Sequence, residues 1–213
     1  MNARLPAIRA YHVVFGAYGF WLPNDPRGSW SKFVAAWELF RLGPATTTSN
    51  RRSVAKEPHD RAARLAAKQS LTHPAVAFSG RQALAVAHGF ARSAATSGYT
   101  LYACSILPDH MHLVVKRHSY KIEQVVRLLK AAASAALREE GLHPMAHAAA
   151  ADGEIPSPWS RGCWRVYLHS DADVARSVRY VEHNPVKEGK PIQRWSFVTP
   201  FEPQRERGST SRG

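Results

Sequence analysis

The apolar positions of this chain follow two rhythms. Residues 11–18, YHVVFGAY, are rich in β-branched and aromatic side chains and predict a first strand. Residues 101–106, LYACSI, and 110–116, HMHLVVK, predict two more, joined by the turn Leu107-Pro108-Asp109 tightly enough to pair antiparallel. CWRVYL at 163–168 predicts another. Elsewhere the period lengthens. Ala83, Val86, Ala87, Phe90 and Ala94 recur at helical spacing behind a capping box of Ser79 and Gln82, and Gly98 marks the stop. Ile122, Val125, Val126, Leu129, Ala133 and Ala136 form the apolar stripe of a second helix, which Gly141 ends. A third opens at Ser170 with Asp173 three residues on, and is expected to stop near Asn184 because Pro185 disfavours a helical conformation in the residue before it.

The predicted order is strand, helix, strand, strand, helix, strand, helix, which is compatible with an α+β domain. At 213 residues the chain is most simply one domain, spanning 1–202. Within it, residues from about 20 to 74 mix the turn-rich WLPNDPRGSWS, the polar TTTSNRRS and short helical patterns such as DRAARLAAKQSL, and read as a surface insertion. Residues 203–213 read as a disordered basic tail. No signal-peptide pattern and no membrane-length apolar run is present, and Cys104 and Cys163 are too few and too far apart for a disulfide framework or a zinc site. A reducing cytoplasm is the expected setting, with no membrane partner.

Charge narrows the choice of partner. Lys and Arg number 29 against 16 Asp and Glu, a net charge of +13, which favours a polyanion. The basic residues are spread along the chain rather than gathered on one amphipathic helix, which points to nucleic acid over anionic lipid. Arg127, Lys130, Ser134 and Arg138 fall on one face of the second helix and predict a continuous basic stripe. Lys116, Arg165, Arg179 and Lys187 lie beside the elements that carry candidate chemistry and are further candidates for tracking a phosphate backbone. Trp159 and Trp164 are read as packing residues that could alternatively stack bases.

The oddest run is ILPDHMHLVV. Side chains alternate across a strand, so His110 and His112 share one face while Met111, Leu113 and Val115 share the other. Neutral imidazoles side by side make a metal clamp; two histidines on an exposed polar face are the plainer reading of the same spacing. A histidine-triad hydrolase wants a third alternating histidine where Val114 stands, and a metallo-β-lactamase wants Asp-His where Leu113 and Val114 stand. On the last helix Tyr180 and Asn184 are four apart, about 40° around and roughly 6 Å along the axis. They flank the stripe of Val174, Val178 and Val181, with Arg176 and His183 nearby, and beside two histidines would supply a nucleophile and an oxygen-donating third ligand; a partly buried tyrosine and an asparagine near a helix stop are the plainer reading of the same pair. Tyr167 has no amide four residues on; Tyr120 has Gln124 at that spacing but lies at the start of the second helix, away from the motif of the last one.

Together, PDHMHLVV and YLHSDADVARSVRYVEHNPVKEG resemble the HUH single-tyrosine transposases of small bacterial insertion sequences. YVEHNPVKEG is similar to the REP-associated branch, with its Y-x-x-x-N-P-V-K-x-G pattern. The resemblance covers most of residues 100–189. It implies a ferredoxin-like antiparallel sheet with helices packed on it, the HUH endonuclease fold, whose central strands carry the histidines. It further implies Tyr180 as nucleophile, His110, His112 and Asn184 holding Mg²⁺ or Mn²⁺, and nicking and strand transfer on single-stranded or hairpin DNA through a 5′-phosphotyrosine. Arg127, Lys130, Arg138, Arg165 and Lys187 would hold the DNA, and the protein would act as a monomer or homodimer associated with the nucleoid. A non-catalytic nucleic-acid binder derived from a transposase, and a metal-dependent phosphodiesterase using water, are the alternatives.

Overall fold

The structure, a computed structural model, describes residues 7–22 and 61–203. Most of the expected insertion and nearly all of the expected tail lie outside the described residues. What is described of the insertion includes a helix, α1 (Arg61–Gln69), where DRAARLAAKQSL predicted one.

The remaining elements follow the two rhythms: β1 (Ala10–Gly16), α2 (Gly80–Ser97), β2 (Leu101–Ile106), β3 (His110–Lys116), α3 (Ile122–Glu139), β4 (Trp164–Leu168) and α4 (Asp171–Lys187). The strands form one antiparallel sheet in the order β2-β3-β1-β4, so the histidine strand is central and the ferredoxin-like order is met. Both capping boxes are formed. Ser79 Oγ accepts from Gln82 N at 3.3 Å and Gln82 Oε1 accepts from Ser79 N at 2.8 Å; Ser170 and Asp173 repeat the exchange at the start of α4. Gly98 ends α2 at φ 70°, a backbone state that glycine reaches without steric cost.

The pleat divides the sheet into two faces. Val13, Phe15, Met111, Leu113 and Val115 pack against Val86 and Phe90 of α2 and Val125, Leu129 and Ala133 of α3, forming the main core. The two helices cross closely because Gly89 has no side chain: a Cβ there would sit 2.5 Å from the Cα of Ala133. Ala10, Ala103, Val114 and Leu168 face the other way and meet Val174 and Val181 of α4 in a smaller cluster.

α4 runs past its expected stop. Asn184 and Pro185 are buried and helical, and the helix continues to Lys187. The proline costs one backbone bond and a local clash, a preference that burial against the sheet outweighs. Beyond it, Lys190 N donates to Pro185 O at 2.9 Å, and Gln193 returns the chain to the sheet. Its Oε1 accepts from Ile106 N and its Nε2 donates to Ile106 O, both at 2.7 Å. The stretch after α4 is thereby fastened beside the turn that leads into His110.

Candidate active site

His110 and His112 open β3 on the face that α4 covers. The register pairs His110 with Gly16, His112 with Val14 and Val114 with His12, so His12 of β1 joins them on that face. All three imidazoles are buried. Their rings pack edge to face or stacked, with centroids 4.9 Å apart for His110 and His112 and 5.5 Å for His12 and His112.

Hydrogen bonds fix which ring atoms are available. His110 Nδ1 lies 2.7 Å from Asp109 Oδ1, and a carboxylate only accepts, so Nδ1 carries the hydrogen and Nε2 is the ring atom left to face the site. His12 Nε2 and His112 Nδ1 are 3.2 Å apart, so one donates and the other accepts. Donation from His112 leaves its Nε2 as a lone pair, the arrangement by which a second histidine orients a metal ligand. Burial pushes the pKa of His12 down to about 4. His112 is also held well below the ordinary histidine range, first by burial and then by the charges of His110, His12 and Lys187. Both rings are therefore neutral near pH 7, as a ligand requires.

A local device positions His110. The Phe20 ring stacks on it with centroids 4.7 Å apart, and this needs Gly16, where a Cβ would meet Phe20 at 2.4 Å.

Tyr180 stands over the imidazoles. Its ring centroid is 5.5 Å from His12 and 5.7 Å from His112, and Lys187 Nζ lies 4.1 Å from its own ring centroid. The hydroxyphenyl group is partly exposed, and its pKa is raised by burial first and by Glu188 second. Asn184, one turn on, is buried, and its Nδ2 has no partner. The structure thus brings together Tyr180, His110, His112, Asn184 and Lys187 on one face.

Other expected site residues are placed elsewhere. The basic stripe of α3 is not continuous. Lys130 turns inward, donating to Ser160 O at 2.8 Å and Gly162 O at 2.7 Å with its Nζ 5.1 Å from the Phe15 ring centroid, and burial lowers its pKa to about 8. Ser134 accepts from Trp159 Nε1 at 2.8 Å. That leaves Arg127 and Arg138 exposed, on the helical layer across the sheet from the imidazoles. Arg165 shares the Val13 face and pairs with Glu123 of α3 at 2.9 Å. His183 turns to solvent, its Nδ1 2.9 Å from Arg179 O, which removes it from the neighbourhood of the clamp; Arg176 pairs with Asp173. Trp159 is buried against Phe15 and Phe78, and Trp164 meets the His12 ring edge-on at 5.6 Å.

The pattern reading missed His12 and Glu188. A strand register set by the hydrophobic faces would have found His12. Glu188 continues the row of Tyr180 and Asn184 by four more residues, and its Oε1 is 3.9 Å from His110 Nε2.

The fold and this face define a ferredoxin-like α+β domain with a tyrosine set against a pair of strand histidines. Residues 75–184, just over half of the chain, match the family model for IS200-like transposases. The chain belongs to that family, and so to the proteins that process DNA. Of solved structures, a REP-associated tyrosine transposase bound to a REP hairpin is 14% identical over 89% of this chain and 74% of that one, with a TM-score of 0.44. A candidate transposase from Deinococcus radiodurans R1 is 12% identical over 86% of this chain and 94% of that one, with a TM-score of 0.37. No curated protein matches the chain. Among the described residues no helix is long and apolar enough to cross a membrane.

Proposed function

We propose that this protein nicks and rejoins single-stranded DNA beside a hairpin, with Tyr180 as the nucleophile. The observation that carries the reading is the packing of the Tyr180 ring on His12 and His112, with the buried amide of Asn184 one turn away.

The Tyr180 hydroxyl attacks the scissile phosphorus as the phenol loses its proton. A P–O bond to the tyrosine forms and the bond to the 3′ oxygen breaks, leaving a 5′-phosphotyrosine and a free 3′-hydroxyl. A second 3′-hydroxyl can attack that phosphotyrosine and restore a phosphodiester, with the phenol as leaving group. Burial and Glu188 keep the phenol protonated at neutral pH, so the attack needs an electrophilic phosphate.

The donors present fit a divalent ion. Asp109 engages Nδ1 of His110 and leaves Nε2 as the ring atom facing the site, His112 is neutral, and Asn184 has a buried, unpartnered amide atom. A half-turn of the amide exchanges its nitrogen and oxygen, so that atom is equally the oxygen that a hard cation takes. Mg²⁺ or Mn²⁺ held by His110, His112 and Asn184 would supply Lewis-acid polarisation of the phosphate.

Lys187, against the Tyr180 ring, is the cation placed to meet a phosphate arriving at that face. Arg127, Arg138 and Arg165 lie across the sheet and contribute through the field of the whole basic chain, and Lys130 through the loop it holds. The site as described draws all its residues from one chain, so it serves a monomer or a homodimer alike.

The test is incubation with a hairpin carrying a single-stranded flank, followed by denaturing electrophoresis. Wild type should become linked to the 5′ side of the nick, and Tyr180→Phe should neither link nor cleave while binding the same DNA in EDTA. Undiminished cleavage by Tyr180→Phe would overturn the reading, and cleavage without an adduct would assign the attack to water.

A further inference from the structure

We propose that the carboxylate of Glu188 joins His110, His112 and Asn184 in holding the divalent cation, giving the site an anionic ligand. This rests on the metal reading above and extends it to a residue outside the expected ligand set.

Position comes first. Tyr180, Asn184 and Glu188 follow one another at intervals of four along α4 and its cap, so all three look toward the histidine face. Gln193 ties the following segment to Ile106, four residues before His110, and holds the end of the helix beside the strand that carries the clamp.

The geometry adds a second argument. Glu188 Oε1 lies 3.9 Å from His110 Nε2, too far for a hydrogen bond. Nδ1 of the ring is engaged by Asp109, so Nε2 is the ring atom that faces the carboxylate. An imidazole nitrogen and a carboxylate oxygen facing across such a gap can be bridged by one cation bound to both. Metal–nitrogen and metal–oxygen bonds of about 2.0–2.2 Å allow two donors on one ion to stand up to roughly 4 Å apart, and the gap falls within that span.

Charge gives a third. Two imidazoles and an amide are all neutral donors, and Lys187 lies close enough to lower the pKa of His112. A doubly charged ion there is uncompensated without an anion, and a carboxylate also suits Mg²⁺ or Mn²⁺. Glu188 stands at the C-terminal cap of α4, where the helix dipole disfavours negative charge. Among the described residues no lysine or arginine pairs with it. Among the described residues no three His, Cys, Asp or Glu side chains are gathered into a ready cluster, so the carboxylate must swing inward, which a side chain 40% exposed can do.

The experiment is titration of metal-free protein with Mn²⁺, followed by the electron paramagnetic resonance of the free ion, without DNA. Glu188→Gln and Glu188→Ala should each weaken Mn²⁺ binding about tenfold or more, since loss even of an outer-shell partner costs about 10–100-fold. Both should keep the wild-type thermal midpoint, which removes misfolding as a cause. Affinities within about threefold of wild type for both variants would overturn the role of Glu188 and leave the histidine clamp standing. If wild type itself bound no Mn²⁺, or bound it equally well after His110→Ala, the metal reading and this extension of it would fall together.

Discussion

On one face of the sheet Val13, Phe15, Met111, Leu113 and Val115 disappear under α2 and α3; on the other, a single layer of backbone away, His12, His110 and His112 lie under α4. The same strands serve both. The helical face buries large apolar side chains in one cluster with Gly89 and Ala133 in close contact, whereas α4 is held by a few small and branched residues. Burial on the first face supplies stability, and on the second it keeps His12 and His112 neutral. Alternation along a strand makes this division possible, because Leu113 and His112 are neighbours in sequence and opposites in role.

The division predicts that activity and stability can be damaged separately. The largest expected effect is on the α4 face: Tyr180→Phe should reduce strand cleavage below detection with an unchanged thermal midpoint, as followed by adduct formation and by circular dichroism. Next, Leu113→Ala should cost about 2–5 kcal/mol in a denaturant titration, because the site is fully buried. Its neighbour change, His112→Ala, should cost about 1–2 kcal/mol and yet eliminate cleavage. Equal losses of stability at the two positions would erase the contrast. Gly89→Ala should lower stability by about 1–3 kcal/mol by forcing α2 from α3, and leave the Mn²⁺ affinity of the other face unchanged.

The smallest effect concerns pH. Lys130, on the helical side, has a pKa lowered to about 8 by burial, while in the unfolded chain it holds its proton to about 10.4. Between those values the unfolded state binds more protons, so this lysine makes stability rise with pH across the window, by at most about 1.4 kcal/mol per pH unit. Its two carbonyl partners favour the charged form and should keep the slope below about 1 kcal/mol per unit. The difference between wild type and Lys130→Met in urea titrations from pH 8 to 10 isolates the contribution. A negative difference in slope would contradict the burial of that ammonium.

Much of this architecture was legible along the chain because it is local. Ser79 with Gln82, Ser170 with Asp173, and Gly98 act within a turn of themselves, and the alternation of HMHLVV needs only its own strand. What escaped was set by distant partners. Lys130 resembles any polar helix residue until the carbonyls of Ser160 and Gly162 arrive from another segment. His12 has no meaning in YHVVFGAY until register brings it to His112, and Pro185 stays helical because α4 is pressed on the sheet. Tyr180 and Asn184 stood out because both sit on one helix, and Glu188 did not because Pro185 seemed to end that helix four residues earlier.

Tyr18 and Val76 close the sheet's entrance in a way that bears on how such chains diversify. Val76 N donates to Tyr18 O at 2.9 Å, so the backbone on the two sides of the long excursion between β1 and α2 is tied together. Loop-closure entropy grows only with the logarithm of length, about 0.6 kcal/mol for each doubling. To the sheet, then, this junction is a graft point: with its two ends already held together, the segment between them can change in length at small entropic cost.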